Sequence, residues 1–537
     1  MVTVKRCGYW TLFVVTCCIS SAIASDILVV CPTASYSHQQ PFLIISQALL
    51  QRNHTVTLLT CNPEKIKPHV NLTIVDLSFT YELWKNKKDL GLQGRYSQWK
   101  NLYTFSTVFS VLVTSEQWKH PNLRNFIDMI VTTNKTYDLV LFERVLYHSY
   151  LSLVDLVGQP PVIGMATAQY FSIISWPFNN PENPAYVPVI WTANTDSMTF
   201  WQRVTNTVQA MAYYWLHMRT LDKEQAILNQ NLDEKYRKRS LREIYFDSAK
   251  DSFMFSFDSR ITGYARPMQR KLVEVGPLHL VDPKPLDQSL QKWMDGTPEG
   301  VIYFSLGTNM KGTSMGDFRR KAFLKAFARL PQYRVLWKWE NDVMEGLGEN
   351  IRLQKWMPQQ DILAHPKVKL FIMQGGLQSL QEAFHYGVKL ICIPMFADQD
   401  LNCQRVGKIK TGIVLEYEDL NEEIIFNALK LVLEDPQYEE NMQYYSLLSK
   451  DTPMSPIEKS IWWIEYVLRH KGVAHLHSAA ADLSYVQYYL LDVIAFIITI
   501  LLVLVAAIYL LTKKVLDLVK SKLANPKEKE RTRKKLK

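Results

Sequence analysis

Between Trp356 and Asn402 the chain reads WMPQQDILAHPKVKLFIMQGGLQSLQEAFHYGVKLICIPMFADQDLN. The apolar run Val368–Met373 has the length and composition of a buried strand in a parallel sheet. Gln374-Gly375-Gly376 then turns the chain where backbone can come close to a ligand. A helix is predicted from Leu377 to Tyr386, and its first turn offers free N–H groups and a positive dipole end to an anion such as a diphosphate. Ser379 lies within that turn. Gln378 and Glu382 are four apart, so an amide and a carboxylate line one wall of the helix. The next strand, Lys389–Met395, leads into Phe396-Ala397-Asp398-Gln399, whose last two side chains can bind hydroxyls. Open α/β sheets bind ligands beyond the carboxyl ends of their strands, so these residues alone predict a nucleotide-like ligand at a switch point.

The W-x-P-Q start, the G-G-x-x-S-x-x-E-A core, the later proline and the D-Q-x-x-N end resemble the signature of the UDP-glycosyltransferases, in particular the membrane-bound animal branch and its insect members. The resemblance covers nearly the whole chain. It is strongest from about 300 to 475 and weakest from about 78 to 130. It implies the GT-B architecture, two facing Rossmann-like α/β domains, and an inverting transfer of sugar from a UDP-sugar to a hydroxyl of a small lipophilic acceptor. Such a transfer needs a base for the acceptor, and a neutral imidazole whose other nitrogen is held by a carboxylate suits the task. S-Y-S-H-Q resembles the family's catalytic-histidine segment and assigns the base to His38, in the loop after the first strand. Glu143, ending the fourth strand where many members carry aspartate, would orient it, although Arg144 beside it could instead make Glu143 half of a surface ion pair. His148 is a competing imidazole with the reading of an ordinary helix residue.

For the donor, Gly307 permits close backbone approach and Thr308 offers an N–H and a hydroxyl to phosphate oxygens. Trp356 could stack on uracil or be a core aromatic, and Gln359 could read a base edge or the ribose. By resemblance, Glu382 binds the ribose and Asp398 with Gln399 holds the sugar hydroxyls. Three positions depart from the common pattern. Gln374 replaces a histidine and Gln378 an asparagine, both as in insect members, and Lys389 replaces a proline and is expected to loosen the turn or face solvent. Asp398-Gln399-Asp400 spells a D-x-D, a metal-binding string in another transferase architecture. Here it lies inside a better explanation, so no metal or other cofactor is expected.

These residues need elements to position them. Strands are expected at Asp26–Pro32, His54–Cys61, Asn71–Leu77, Asp138–Glu143, Pro161–Met165 and Ser252–Phe257, with a helix from about Gln40 to Arg52 and an aromatic, mostly helical insertion from Ser78 to Asn134. A Pro/Gly-punctuated linker follows, and then strands at Val301–Leu306, Arg334–Trp339, Ile351–Trp356, Val368–Met373, Lys389–Met395 and Ile413–Glu416. Helices at about Asn421–Glu434 and Pro456–His470 close the body. The division is a signal peptide (1–24), an acceptor domain (25–276), a linker (277–300), a donor domain (301–475), a juxtamembrane segment (476–492), a transmembrane helix (493–512) and a basic tail (513–537).

Composition agrees with a folded, anchored chain of 537 residues, 47% hydrophobic and 12% aromatic. The net charge of +10 is no nucleic-acid footprint. From Lys513 onward eleven Lys/Arg stand against three acids, which accounts for eight of the ten charges. Lys5 and Arg6, the apolar run Tyr9–Ile19 and Ala22-Ile23-Ala24 read as a secretory leader. Val493–Thr512 has no charged residue and can cross a bilayer once, with the basic tail on the cytosolic side. Sequons at Asn53, Asn71 and Asn134 fit a lumenal body, and Lys534 with Lys535 resembles a signal for retention in the endoplasmic reticulum. Cys31 and Cys61 end neighbouring strands and could bridge, but four cysteines outside the leader read better as buried thiols.

UDP-glucose is the favoured donor, with UDP-glucuronate the close alternative. The competing functions are a non-catalytic membrane-anchored binder of sugar nucleotides or lipophiles, and an epimerase or polymer-forming transferase on the same architecture. Assembly into a homo-oligomer stays open.

Overall fold

A computed structural model of the chain describes residues 24–86, 94–308, 310–524 and 526–536. The expected leader lies outside the described residues but for Ala24. The chain forms two units, residues up to His477 and residues from Ser478 onward.

The first unit holds two parallel sheets. One comprises β1 (Asp26–Cys31), β2 (Thr55–Thr60), β3 (Leu72–Asp76), β4 (Leu139–Glu143), β5 (Val162–Ala166), β6 (Phe253–Ser256) and β7 (Leu272–Glu274), in the order β3-β2-β1-β4-β5-β6-β7. The other comprises β8 (Gly300–Ser305), β9 (Tyr333–Lys338), β10 (Ile351–Gln354), β11 (Val368–Met373), β12 (Lys389–Cys392) and β13 (Gly412–Val414), in the order β10-β9-β8-β11-β12-β13. Every expected strand is present. β7, only three residues long and just ahead of the linker, was not among the expected strands.

Alternation along each strand builds two cores per sheet. In β1, Leu28 and Val30 join the apolar cluster under the Ser110–Lys119 helix, whereas Ile27 and Val29 join the one under the Tyr36–Gln51 helix. In β8, Ile302 and Phe304 face one cluster, and Val301 and Tyr303 the other. Each sheet changes winding direction at its centre, between β1 and β4 in the first and between β8 and β11 in the second. The crevice at such a point is where the chain must leave an opening.

Sequence order places Pro456–His470 with the second domain, but its apolar face (Ile461, Ile464, Val467) packs on the first sheet's core. Trp463 meets Phe253 at 4.5 Å between ring centroids, and Glu465 pairs with Arg52 at 2.7 Å. The division by chain order is therefore not the division by packing, because an amphipathic helix joins whichever apolar surface it can cover. Lys389 is likewise neither loosening a turn nor facing solvent. It is buried in β12, where burial lowers its pKa and Glu439, 3.5 Å away, partly restores it. Cys31 and Cys61 are free buried thiols, the latter donating to Pro32 O.

In the second unit, Leu491–Leu523 is one helix of 33 residues, long and apolar enough to cross a membrane, and the expected span 493–512 lies inside it. Lys534 and Lys535 are exposed near the end of the helix Pro526–Lys535. Asn53 and Asn134 are exposed with positive φ and Asn71 is half-buried.

The long helix Phe200–Asn231, opened by a Thr199–Gln202 capping box, buries Glu224 against the Ser110 hydroxyl and Ser149 N–H. Burial pushes Glu224 up to about 7, against the downward pull of those donors. A carboxyl held protonated more tightly in the folded chain stabilises it at acid pH. That contribution, up to about 3 kcal/mol, is lost as pH rises from the unfolded value through about 7. Glu224→Gln is expected to flatten this decline, so that its Tm changes less than the wild type's between about pH 5 and 8 in thermal melts.

Candidate active site

Both winding reversals open onto one cavity of about 450 Å³, walled by the first domain on one side and the second on the other. On the first side, Tyr36 and not Gln40 begins the first helix, so His38 stands in its opening turn and not in a loop. Gln39 brings this about. Buried beneath the turn, its amide donates to Cys31 O and Thr33 O, and its carbonyl accepts from Thr60 Oγ1 and Cys61 N. One glutamine thus fastens the turn to the ends of β1 and β2, and fixes its neighbour His38 at the sheet's carboxyl edge.

His38 Nδ1 lies 2.5 Å from Glu143 Oε1 and 2.8 Å from Thr167 Oγ1. Glu143 is wholly buried, and its other oxygen accepts from Thr33 Oγ1 at 2.5 Å and Cys31 Sγ at 3.6 Å. With a carboxylate on Nδ1, that nitrogen carries the proton and Nε2 is left as a base towards the cavity that His38 lines. Arg144 makes no surface ion pair with Glu143. Successive residues leave a strand on opposite faces, and Arg144 is buried with Nη2 donating to Tyr245 O. His148 is no ordinary helix residue either. It sits in the 3₁₀ turn His148–Ser152, is buried, and walls the cavity with its ring 4.9 Å from that of His217. Burial lowers the pKa of both imidazoles, His217 to about 3, so both are neutral. Phe105, Phe171, Ile190, Trp191 and Tyr213 line this end, which is mainly apolar and aromatic.

On the second side, the cavity wall includes Gly307, Thr308, Trp356, Gln359, Gln374, Gly376, Gln378, Ser379, Glu382, Asp398 and Gln399. Trp356 is 66% exposed, which excludes the core-aromatic reading and leaves its face available for stacking. Gln359 is tied down by its neighbours, donating to Ser379 Oγ at 2.8 Å and Glu382 Oε2 at 2.6 Å. The remaining Glu382 oxygen lies 3.4 Å from His279 Nε2, a linker residue that the sequence reading passed over. Lys338 at the end of β9 was missed too. Its Nζ donates to Gly307 O at 2.9 Å, bringing a cation beside the turn expected to hold phosphate. Spacing could not reveal either residue, because each reaches its partner only through the fold.

Gly375 is the one expected donor residue not on the wall. Its φ is +90°, and a Cβ there would lie 2.4 Å from Cys403 Sγ and 3.0 Å from Gln399 O. Glycine is required at 375 by the packing of the Gln399–Lys408 helix. A Cβ at Gly376 would meet only Gln374 Nε2, at 3.9 Å, and Gly376 precedes the Leu377–Tyr386 helix without supplying a side-chain cap, so no side-chain cap occupies that helix's first N–H groups. Gln374 Oε1 is buried without a hydrogen-bond partner. Gln399 spends its carbonyl on Met395 N and Phe396 N, leaving its amide N–H to the cavity. Burial raises the pKa of Asp398, which accepts from Asn402 Nδ2 at 3.0 Å. Gln378 reaches across the cleft and donates to Ser37 O at 2.6 Å. Pro41, lacking an N–H, leaves that carbonyl without its helical partner, and the second domain supplies one.

A family model described as "UDP-glucoronosyl and UDP-glucosyl transferase" matches residues 26–529. The chain belongs to this family: it is a UDP-glycosyltransferase. Its relatives include UDP-glycosyltransferase UGT5 of Dactylopius coccus, 33% identical over 93% of this chain and 94% of that one. UDP-glucuronosyltransferase 2B7 of Homo sapiens is 29% identical over 95% and 96%. Among solved structures, a UDP-glucosyltransferase from Polygonum tinctorium capable of glucosylating indoxyl aligns with a TM-score of 0.53 at 16% identity, covering 83% of this chain and 99% of that one. The glycotransferase of kitacinnamycin aligns at 0.54 and 14%, covering 83% and 99%. Both support the GT-B fold of this UDP-glycosyltransferase.

For the transferase, His38→Ala is expected to lower kcat by about 10³-fold while KM for the UDP-sugar donor stays within twofold. Glu143→Gln keeps the shape but loses the charge that fixes the tautomer, and is expected to cost about 10²-fold or more. Initial rates against varied donor and acceptor check both.

Proposed function

We propose that this transferase moves glucose from UDP-glucose, with inversion, to a hydroxyl of a small lipophilic acceptor, as a conjugation or detoxification enzyme of the endoplasmic reticulum membrane. The observation that carries the reading is the His38–Glu143 pair, 2.5 Å apart at one switch point and sharing a cavity with the uncapped helix start at Gly376 on the other. His38 Nε2 takes the acceptor proton as oxygen attacks the anomeric carbon. Bond breaking on the far side passes charge to the diphosphate, where Thr308, the first turn of the Leu377–Tyr386 helix and Lys338 stand as fixed donors and charge. Trp356 stacks on uracil and Glu382 takes the ribose.

Glucose is favoured over glucuronate on charge. Asp398 and Gln399 line the cavity, and a carboxylated sugar held by them, as this reading has it, would meet the Asp398 carboxyl. Of the lysines on the cavity wall, Lys338 spends its Nζ on Gly307 O and Glu340 at the nucleotide side, while Lys284 is placed by its backbone N–H, which donates to Asp361 Oδ1. A relative named UDP-glucosyltransferase 2, from Dactylopius coccus, is 32% identical over 89% of this chain and supports the same choice. The Phe105, Trp191 and Tyr213 wall favours aromatic, lipophilic acceptors. Lumenal placement of the body rests on the leader, the three sequons and the basic tail.

No metal is needed on this reading, since Asp398 bonds Asn402 and Asp400 pairs with Arg95 at 2.5 Å. Radiolabelled UDP-glucose and UDP-glucuronate offered with a panel of phenols are expected to give glucosides at least tenfold faster than glucuronides, with no loss in EDTA. Preference for glucuronate would overturn the donor assignment. Loss in EDTA with rescue by manganese would overturn the metal-free one.

A further inference from the structure

The loop that carries Asp398 and Gln399 belongs to the second domain, yet the insertion of the first domain holds it. Arg95 makes a two-pronged ion pair with Asp400, Nη1 to Oδ2 at 2.7 Å and Nη2 to Oδ1 at 2.5 Å, and Asp400 is wholly buried. Tyr96 N donates to Met395 O at 2.7 Å, and the Tyr96 ring sinks into the second domain's core beside Phe396. Asn101 Oδ1 accepts from Ala397 N at 3.1 Å. Ala397 has φ of +58°, a conformation that alanine adopts only under constraint, and this hydrogen bond is one such constraint. The same insertion continues through a π-helical turn, Thr104–Phe109, whose Phe105 walls the acceptor end of the cavity and stacks near Phe396.

We infer that this strap is part of the sugar subsite and that Arg95 is a positioning residue for it, acting through Asp400 on Asp398 and Gln399. The inference rests on the reading above that these two side chains hold the sugar. A bidentate guanidinium–carboxylate pair fixes orientation as well as distance, so the Gln399–Lys408 helix cannot turn without breaking it. Through Arg95, Tyr96 N and Asn101 the strap bonds Asp400, Met395 and Ala397, which flank Asp398 and Gln399, so its expected action is on the sugar and not on the uridine. It also links the acceptor wall to the donor loop within one short run of chain.

The test uses the full-length protein in detergent, with Arg95→Ala, Arg95→Lys and Asn101→Ala, each followed by KM for UDP-glucose, affinity for UDP alone and Tm. Expected is a rise of about tenfold in KM for UDP-glucose in Arg95→Ala, with UDP affinity within twofold of wild type. Lysine, which cannot form the two-pronged pair, is expected to restore less than half of the loss. Asn101→Ala leaves no buried charge unpaired, and it is expected to shift the same ratio should Arg95→Ala fold poorly. Unchanged KM in Arg95→Ala and Asn101→Ala overturns the proposal. So does an equal loss of UDP and UDP-glucose affinity, which would make the strap a general domain clamp. Gln399→Ala separates the two levels. If it binds UDP-glucose as well as wild type, the sugar subsite itself is misassigned; if it loses binding while the strap variants do not, only the role of Arg95 falls.

Discussion

A carboxylate with no solvent contact must be surrounded by donors, and the site is built around that demand at Glu143. Thr33 and Cys31 from the end of the neighbouring strand satisfy one oxygen, and His38 takes the other. The parallel β1–β4 ladder, with Val30 opposite Phe142, brings the two strand ends level and so places a residue just past β1 beside the last residue of β4. Were the imidazole absent, a buried charge would lose its strongest partner at a cost of several kcal/mol. The contact proposed to orient the base is thus also one that the fold requires.

The second domain answers with the same geometry and different chemistry. Its reversal between β8 and β11 puts a glycine turn and an uncapped helix start at the carboxyl edge, a place suited to an anion rather than to a proton. The two halves are held in register by contacts that cross the cleft. Gln378 fills the carbonyl left open by Pro41, and the Arg95 strap grips the far loop. The Pro456–His470 helix returns to cover the first sheet and so ties the chain's end to its beginning.

Much of this was legible in the sequence. Parallel strands are continuous apolar runs, and both series of β-α-β units stand out because burial on both faces leaves no polar alternation to confuse. His38, Glu143 and the Gln374-Gly375-Gly376 turn could be named because each lies at or shortly after a strand's carboxyl end, and Glu382 because it sits one helical turn from Gln378, so local pattern and site coincide. The errors came where partners are remote. His38 was assigned to a loop because its helix starts early, on the strength of the tertiary contacts of Gln39. Lys389 was expected outside because nothing near it in sequence announces Glu439. At Gly375 the sequence showed a turn open to a ligand but not that its missing side chain is also required by Cys403.

By itself, then, the sequence determined the two-sheet architecture, the membrane-span candidate and the main chemical cast, since those follow from short-range periodicity and from residues beside strand ends. Only the tertiary structure decided which groups complete the site. His279, Lys338, Arg95 and the cross-cleft bond of Gln378 act on atoms far along the chain, and a hydrogen bond acts only over about 3 Å of space, whatever the separation in sequence.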